Sequence, residues 1–150
     1  MDVGYFAYGS NLNIFQMMKR VGEWSSSTRV YLKGHDLVFN VKSRRWGGFA
    51  ANIQKTGNDH DRVYGVVYFM KNEKLDVMTT YEGNSPKKLD VMTEDGEGIK
   101  DVAVYWWDKN EPSKEPPESY KQIIIEGLEQ HGFKEDVIEK VKKSFLNRGT

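Results

Sequence analysis

The chain contains no cysteine, which excludes disulfides, thiolate nucleophiles and cysteine-ligated metals together. Histidine is nearly as scarce. His35, His60 and His131 stand far apart, and none has the i, i+4 partner of a helical zinc site. Turn, loop or helix-end roles are expected for all three, and no metal site is predicted. Net charge is also missing, since Lys plus Arg equals Asp plus Glu at 22 each. No overall field therefore draws the chain toward nucleic acid or an anionic membrane. No apolar run has the length of a membrane-spanning helix, and the N-terminus lacks the basic-then-apolar layout of a signal peptide. The default expectation is a cytoplasmic protein without nucleic-acid or membrane partners. Walker, G-x-G-x-x-G and G-x-S-x-G patterns are absent, so phosphate-loop, dinucleotide and Ser–His–Asp chemistry lack support. "GNDHD" at 57–61 is rich in oxygen ligands but lacks the length and terminal Glu of an EF-hand, and reads as a surface loop.

What is present suits a packed core: 38% of residues are hydrophobic and 13% aromatic in a chain of 150. Without repeats, low-complexity tracts or a long linker, residues 1–150 read as one domain. The local basic runs (Lys42 to Arg45, Lys87-Lys88, Lys140 to Lys143) read as solvated faces. Strand signals fill the first two thirds: 3–8, 31–41 with a break at Lys33-Gly34, 49–54, 63–70, 89–93 and 101–107. "VYGVVYFM" at 63–70 is nearly continuous in apolar residues, as for a strand buried on both faces. Trp106-Trp107 is assigned to the core rather than to an interface. Leu12, Phe15, Met17 and Met18 suggest a helix capped by Asn11, and Asn72 is positioned to cap a second, carrying Leu75, Met78 and Tyr81 and stopping at Gly83. Two more helices follow Pro117. The fold class is α+β: a mixed or largely antiparallel sheet with helices around it, closure into a small barrel remaining open at this point.

The junction "YFAYGSNLN" at 5–13 holds the most chemistry. A hydrophobic strand ends at Gly9-Ser10-Asn11, and helical spacing resumes at Leu12. Gly9 lacks the Cβ that would keep a ligand off the backbone. Ser10 and Asn11 offer amides at a helix start, where donors lack partners and the dipole is positive. The stretch is either a main-chain anion nest or a plain capped turn. Glu82, in "TTYEG", is the acid of interest. A helix C-terminus, aromatic neighbours and burial all raise a carboxyl pKa toward the range useful for acid–base catalysis. An exposed surface Glu is the competing reading.

"YFAYGSNL" resembles the signature of the γ-glutamylcyclotransferase-like superfamily, which includes the AIG2-like proteins. "WGGFAANI" at 46–53, "VYGVVYFM" at 63–70 and "LDVMTTYEG" at 75–83 follow in the family's order. "PSKEPPESYKQIIIEGLEQHGF" at 112–133 is similar to the C-terminal segment of the γ-glutamylcyclotransferase branch. The resemblance implies a small mixed β-barrel with peripheral helices and a helical C-terminal tail. It implies that Glu82 is the catalytic acid–base, that Gly9, Ser10, Asn11 and Leu12 form a backbone cradle for substrate, and that Tyr8 lines it. The implied reaction is attack of a γ-glutamyl α-amine on its own γ-carbonyl, giving 5-oxoproline and a free amine, without a cofactor. The implied partner is a small-molecule γ-glutamyl amino acid, peptide or amine; the family includes monomers and homodimers.

One departure stands out. In γ-glutamylcyclotransferases a tyrosine commonly follows the catalytic Glu by several residues, and here Leu89 lies near that place in "EGNSPKKLDVM". Either another hydroxyl serves, such as Tyr81 or Tyr105, or the substrate differs. Three readings remain at this point: the γ-glutamylcyclotransferase, a relative acting on another γ-glutamyl or acyl donor, and a non-catalytic binding or interaction protein of the same fold.

Overall fold

The computed structural model describes residues 2–146. β1 (Asp2–Ala7) leads through a single 3-10 turn, Ser10–Leu12, into α1 (Ile14–Val21). β2 (Ser26–Lys33) and β3 (His35–Ser43) part at Gly34, and β4 (Gly48–Lys55) and β5 (Arg62–Lys71) follow. Then come α2 (Asn72–Glu82), β6 (Lys87–Thr93), β7 (Gly98–Val104), α3 (Glu118–Gln130) and α4 (Glu135–Ser144).

Five strands form a closed barrel in the order β1-β5-β2-β6-β7. Every pair around it is antiparallel except the closing one, where β1 meets β7 in parallel at Tyr5↔Ala103. The sheet is therefore mixed, and closure removes the exposed edges that an open sheet would present. β3 and β4 form a separate two-stranded sheet. β5 is apolar along its length because both its faces are covered: Val63 and Val67 on one, and Val66, Tyr68 and Met70 on the other, are all buried. Ile124 and Leu128 of α3 and Ile138 of α4 join the same core as the barrel residues. This is the α+β barrel with peripheral helices and a helical C-terminal segment that the resemblance implied.

Several local expectations are corrected. The cap of α1 is Asn13, whose side chain accepts from the amides of Phe15 and Gln16, and not Asn11. With the helix starting at Ile14, its inward positions are Met17 and Val21, while Phe15 and Met18 face solvent. Asn72 is the first helical residue of α2 rather than its cap. The β1–β5 ladder runs out to Asp2↔Lys71, so no residue is left between strand and helix. β7 stops at Val104 instead of Trp107. Beyond it the Trp107 backbone bonds the Asn52 side chain in place of a strand, donating to Oδ1 at 3.0 Å and accepting from Nδ2 at 2.7 Å. Trp106 and Trp107 are half-buried and pack against the core.

Candidate active site

The site begins with how tightly the Ser10–Leu12 turn is held. Within it, the Leu12 amide donates to Gly9 O (3.1 Å) and the Asn13 amide to Ser10 O (3.0 Å). From the barrel, the Tyr68 hydroxyl donates to Asn11 O at 2.8 Å. From the end of α3, His131 Nε2 lies 2.9 Å from Leu12 O. Gly127 lets α3 lie directly on the turn: a Cβ there would stand 2.6 Å from the Leu12 carbonyl carbon and from the Asn13 nitrogen. Burial on all sides fixes a segment that would otherwise be a mobile loop.

Tyr8, Gly9, Ser10 and Asn11 line a cavity of about 250 Å³, and Glu82 lines it with them. Leu12 does not. Its amide is consumed inside the turn, its carbonyl is held by His131, and its side chain is fully buried in the core. The expected cradle thus shortens to Gly9, Ser10 and Asn11. At Gly9 a Cβ would meet the Tyr120 hydroxyl at 3.0 Å and the Ala51 Cβ at 3.1 Å. The absence of a side chain is therefore what lets the turn, β4 and α3 converge. The Tyr120 hydroxyl accepts from the Ala51 amide at 2.9 Å and stands beside the Ser10 backbone.

Glu82 is the last residue of α2, and Gly83 ends the helix in the left-handed conformation with its amide on Thr79 O. Asn11, released from capping, turns its side chain into the cavity. Its Nδ2 donates to Glu82 Oε1 (3.3 Å) and to the Tyr5 hydroxyl (2.9 Å). Its Oδ1 accepts from Arg20 (2.9 Å) and Gln16 (3.2 Å). Burial raises the Glu82 carboxyl above its ordinary pKa, while Arg20 and Arg45 pull the other way. Tyr5, Tyr8, Tyr105 and Tyr120 surround the carboxylate. Burial first, with the Glu82 charge adding to it, raises the pKa of each hydroxyl above the ordinary tyrosine value, so all four stay protonated. Tyr8 donates to Tyr105 O at 2.5 Å. Among the described residues, no group of three or more His, Asp or Glu could hold a metal, and no helix is long and apolar enough to cross a membrane.

Tyr81 and Tyr105, named from the sequence as substitute hydroxyls, both line the cavity. The Tyr105 hydroxyl is shared with Thr79 Oγ1 (2.7 Å) and donates to Leu75 O (3.2 Å), so it is occupied by the scaffold. Leu89 pairs with Val102 in the barrel wall and does not line the cavity. Tyr5, Arg20, Arg45 and Tyr120 were not assigned to the site from sequence. Tyr120 lies in a stretch already matched to the family, but only its contact with Ala51 and Ser10 shows where it points. Part of the basic run, Lys42 and Arg45, is exposed as expected yet also borders the cavity.

The closed mixed barrel thus carries a cavity in which one desolvated carboxyl, Glu82, faces a buried main-chain turn. The sequence matches the family described as gamma-glutamyl cyclotransferase, AIG2-like, over residues 5–122, and the chain belongs to that family. A structure of a gamma-glutamyl cyclotransferase is 27% identical with a TM-score of 0.82, covering 100% of this chain and 92% of its own. An uncharacterized protein from Homo sapiens is 28% identical with a TM-score of 0.82, covering 99% of this chain and 91% of its own. YkqA from Bacillus subtilis is 25% identical with a TM-score of 0.82, covering 96% of this chain and 54% of its own. No curated protein sequence matches the chain significantly.

Proposed function

We propose that the protein is a cyclotransferase that converts a γ-glutamyl amino acid, peptide or amine to 5-oxoproline and the free amine, with Glu82 as general acid and base. The observation that carries this reading is that Glu82 and the Gly9–Ser10–Asn11 turn line one cavity, joined by the Asn11 amide.

The α-amine of a γ-glutamyl group is largely protonated at neutral pH and cannot attack until a base takes a proton. A carboxyl whose pKa is raised by burial is better matched to that task than an exposed one. The amine nitrogen then bonds to the γ-carbonyl carbon, closing a five-membered ring, and the carbonyl electrons move to oxygen. As the carbon–nitrogen bond to the departing amine breaks, Glu82 returns a proton to that nitrogen. The ring nitrogen gives up its second proton through the same carboxylate to the freed amine, which leaves as an ammonium, so atoms and protons balance with no other reactant. Nucleophile and electrophile belong to one molecule, so the protein's main work is folding the substrate. Orientation of this kind contributes roughly 7–11 kcal/mol in the best cases. In this reading the substrate α-carboxylate or the developing oxyanion is held at the Gly9–Ser10–Asn11 turn, a donor to the latter being worth about 3–4 kcal/mol. Neutral tyrosine hydroxyls around the cavity add further donors.

The test is 5-oxoproline release, followed by mass spectrometry, from a panel of γ-glutamyl dipeptides and γ-glutamyl amines, with Glu82→Gln alongside. Release that requires Glu82 establishes the reaction. Equal release by Glu82→Gln would remove the carboxylate from the mechanism.

A further inference from the structure

Neither Tyr68 nor His131 lines the cavity that holds Glu82, yet both bond the turn that does. In an uninterrupted helix the amides of Phe15 and Gln16 would reach back four residues, to the carbonyls of Asn11 and Leu12. Here Asn13 is extended (φ −72°, ψ 119°), and its side-chain oxygen takes both amides. Asn11 O and Leu12 O therefore receive no main-chain donor among the described residues. Both residues are buried, so water is a poor substitute. The missing donors arrive from distant parts of the chain: the Tyr68 hydroxyl on Asn11 O, and the His131 ring on Leu12 O.

The hydrogens can be assigned. Tyr68 has one hydroxyl proton, with Asn11 O at 2.8 Å, His131 Nε2 at 3.0 Å and Leu12 O at 3.2 Å. Given to Asn11 O, the nearest acceptor, it leaves Leu12 O to the imidazole 2.9 Å away. A carbonyl only accepts, so Nε2 must carry a hydrogen. Burial lowers the pKa of the ring; the bond to Leu12 O opposes this, and the Arg29 charge adds to it. At neutral pH the ring is therefore uncharged and has a single N–H, whose place is Nε2. The backbone of His131 is held in turn, since Arg29 donates to His131 O at 2.8 Å and is paired with Glu94.

What these two donors govern is the tilt of two peptide planes. Asn11 O shares a rigid plane with the Leu12 amide, and Leu12 O shares one with the Asn13 amide. Those amides donate inside the turn, to Gly9 O and Ser10 O. Each plane is thus pinned at both ends, and the Asn11 Cα is a corner of the first. The direction of the Asn11 side chain, which donates to Glu82 Oε1 at 3.3 Å, follows from that plane. We propose that Tyr68 and His131 are positioning residues, which hold the Asn11 and Leu12 carbonyls and through them aim Asn11 at Glu82. The inference rests on the cyclotransferase reading for the reaction that this positioning serves.

Three variants and one spectrum test this. Tyr68→Phe removes one donor and keeps the ring that packs against Tyr5 and Trp24. His131→Leu removes the other. His131→Gln keeps a side-chain N–H, and the second cavity that His131 lines, of about 230 Å³, gives it room. Rates are measured well below each variant's melting temperature, with the γ-glutamyl compound turned over fastest in the panel above. Expected for Tyr68→Phe and for His131→Leu is a fall in kcat of up to about 10²-fold, larger than any change in KM. His131→Gln should recover most of it. Unchanged kcat in either of the first two, or His131→Gln no better than His131→Leu, overturns the inference while leaving the reaction intact. ¹⁵N NMR gives a readout independent of turnover. The His131 ring of the parent protein should be protonated at Nε2, a result that needs no variant to fold. The Asn11 side-chain amide signals should move in His131→Leu and return toward the parent in His131→Gln. A ring protonated at Nδ1, or Asn11 signals that stay in place, overturns the inference. If no γ-glutamyl compound is turned over, the reaction fails, and these spectra alone decide whether Tyr68 and His131 hold the turn.

Discussion

The Asn11 side-chain amide links Glu82 to Arg20: its nitrogen lies 3.3 Å from Glu82 Oε1 and its oxygen 2.9 Å from an Arg20 N–H. Arginine can only donate, so the amide oxygen must face α1 and the nitrogen must face the carboxyl. Glu82 therefore meets a fixed donor rather than a group free to flip. The arginine also acts on Glu82 through space, holding down a pKa that burial raises.

Asn11→Asp replaces that donor with a second carboxylate beside the first. Two like charges at this distance do not both ionise readily, so the Glu82 carboxyl should take up protons at higher pH. The acidic limb of the kcat/KM profile is expected to move upward and the maximum to fall. A profile superimposable on that of the parent protein would show that Asn11 does not govern Glu82.

Glu82→Gln is expected to lower kcat by about 10²- to 10⁴-fold, the usual contribution of a positioned acid–base group. It should also alter stability in a pH-dependent way. Because the folded-state pKa is raised, the stabilising contribution is full below the unfolded value and is lost as pH rises through the folded value. At neutral pH the buried carboxylate is a net burden that glutamine lacks. Melting temperatures should favour Glu82→Gln at neutral pH and converge with the parent below about pH 4.

Gly9→Val adds a branched side chain where even a Cβ is 3.0 Å from the Tyr120 hydroxyl and 3.1 Å from Ala51. Either Tyr120 or the turn must shift. A displacement near 1 Å at a positioning element costs on the order of 10² in rate. Kinetics with γ-glutamyl substrates should show that loss, and circular dichroism should show the barrel retained.

Asn13→Ala removes the cap of α1 together with bonds to Ile123 O and Glu126 on α3. Cap loss alone costs about 0.5–2 kcal/mol, which for a chain of this size lowers the melting temperature by a few degrees. Those side-chain bonds also tie the end of the turn to α3, so kcat/KM should fall with stability. Full activity in a destabilised variant would separate the cap from the site.

How much of this could be read in advance depends on where each residue's constraint comes from. β5 was legible because cover on both of its faces imposes a nearly unbroken apolar run. Gly9 and Glu82 were legible because a residue without a side chain at a strand end, and an acid beside a helix stop, are unusual choices locally. The cap was misplaced by two residues because Asn11 and Asn13 are equally good caps. What decides between them is Tyr68 and Gly127, which hold the turn from distant parts of the chain. Tyr120 and Arg45 likewise carry no local mark. They join the cavity only because α3 and the β3–β4 hairpin converge on it.

The parallel contact of β1 with β7 at Tyr5↔Ala103 does more than complete the barrel. Tyr5 reaches Asn11 from one side of that seam, and two residues past Ala103 the Tyr105 carbonyl receives the Tyr8 hydroxyl. Residues at opposite ends of the barrel sequence must meet before the Tyr8–Tyr105 bond exists. Closing that seam therefore also completes the wall of the cavity, and the onset of turnover would serve as a clock for barrel closure.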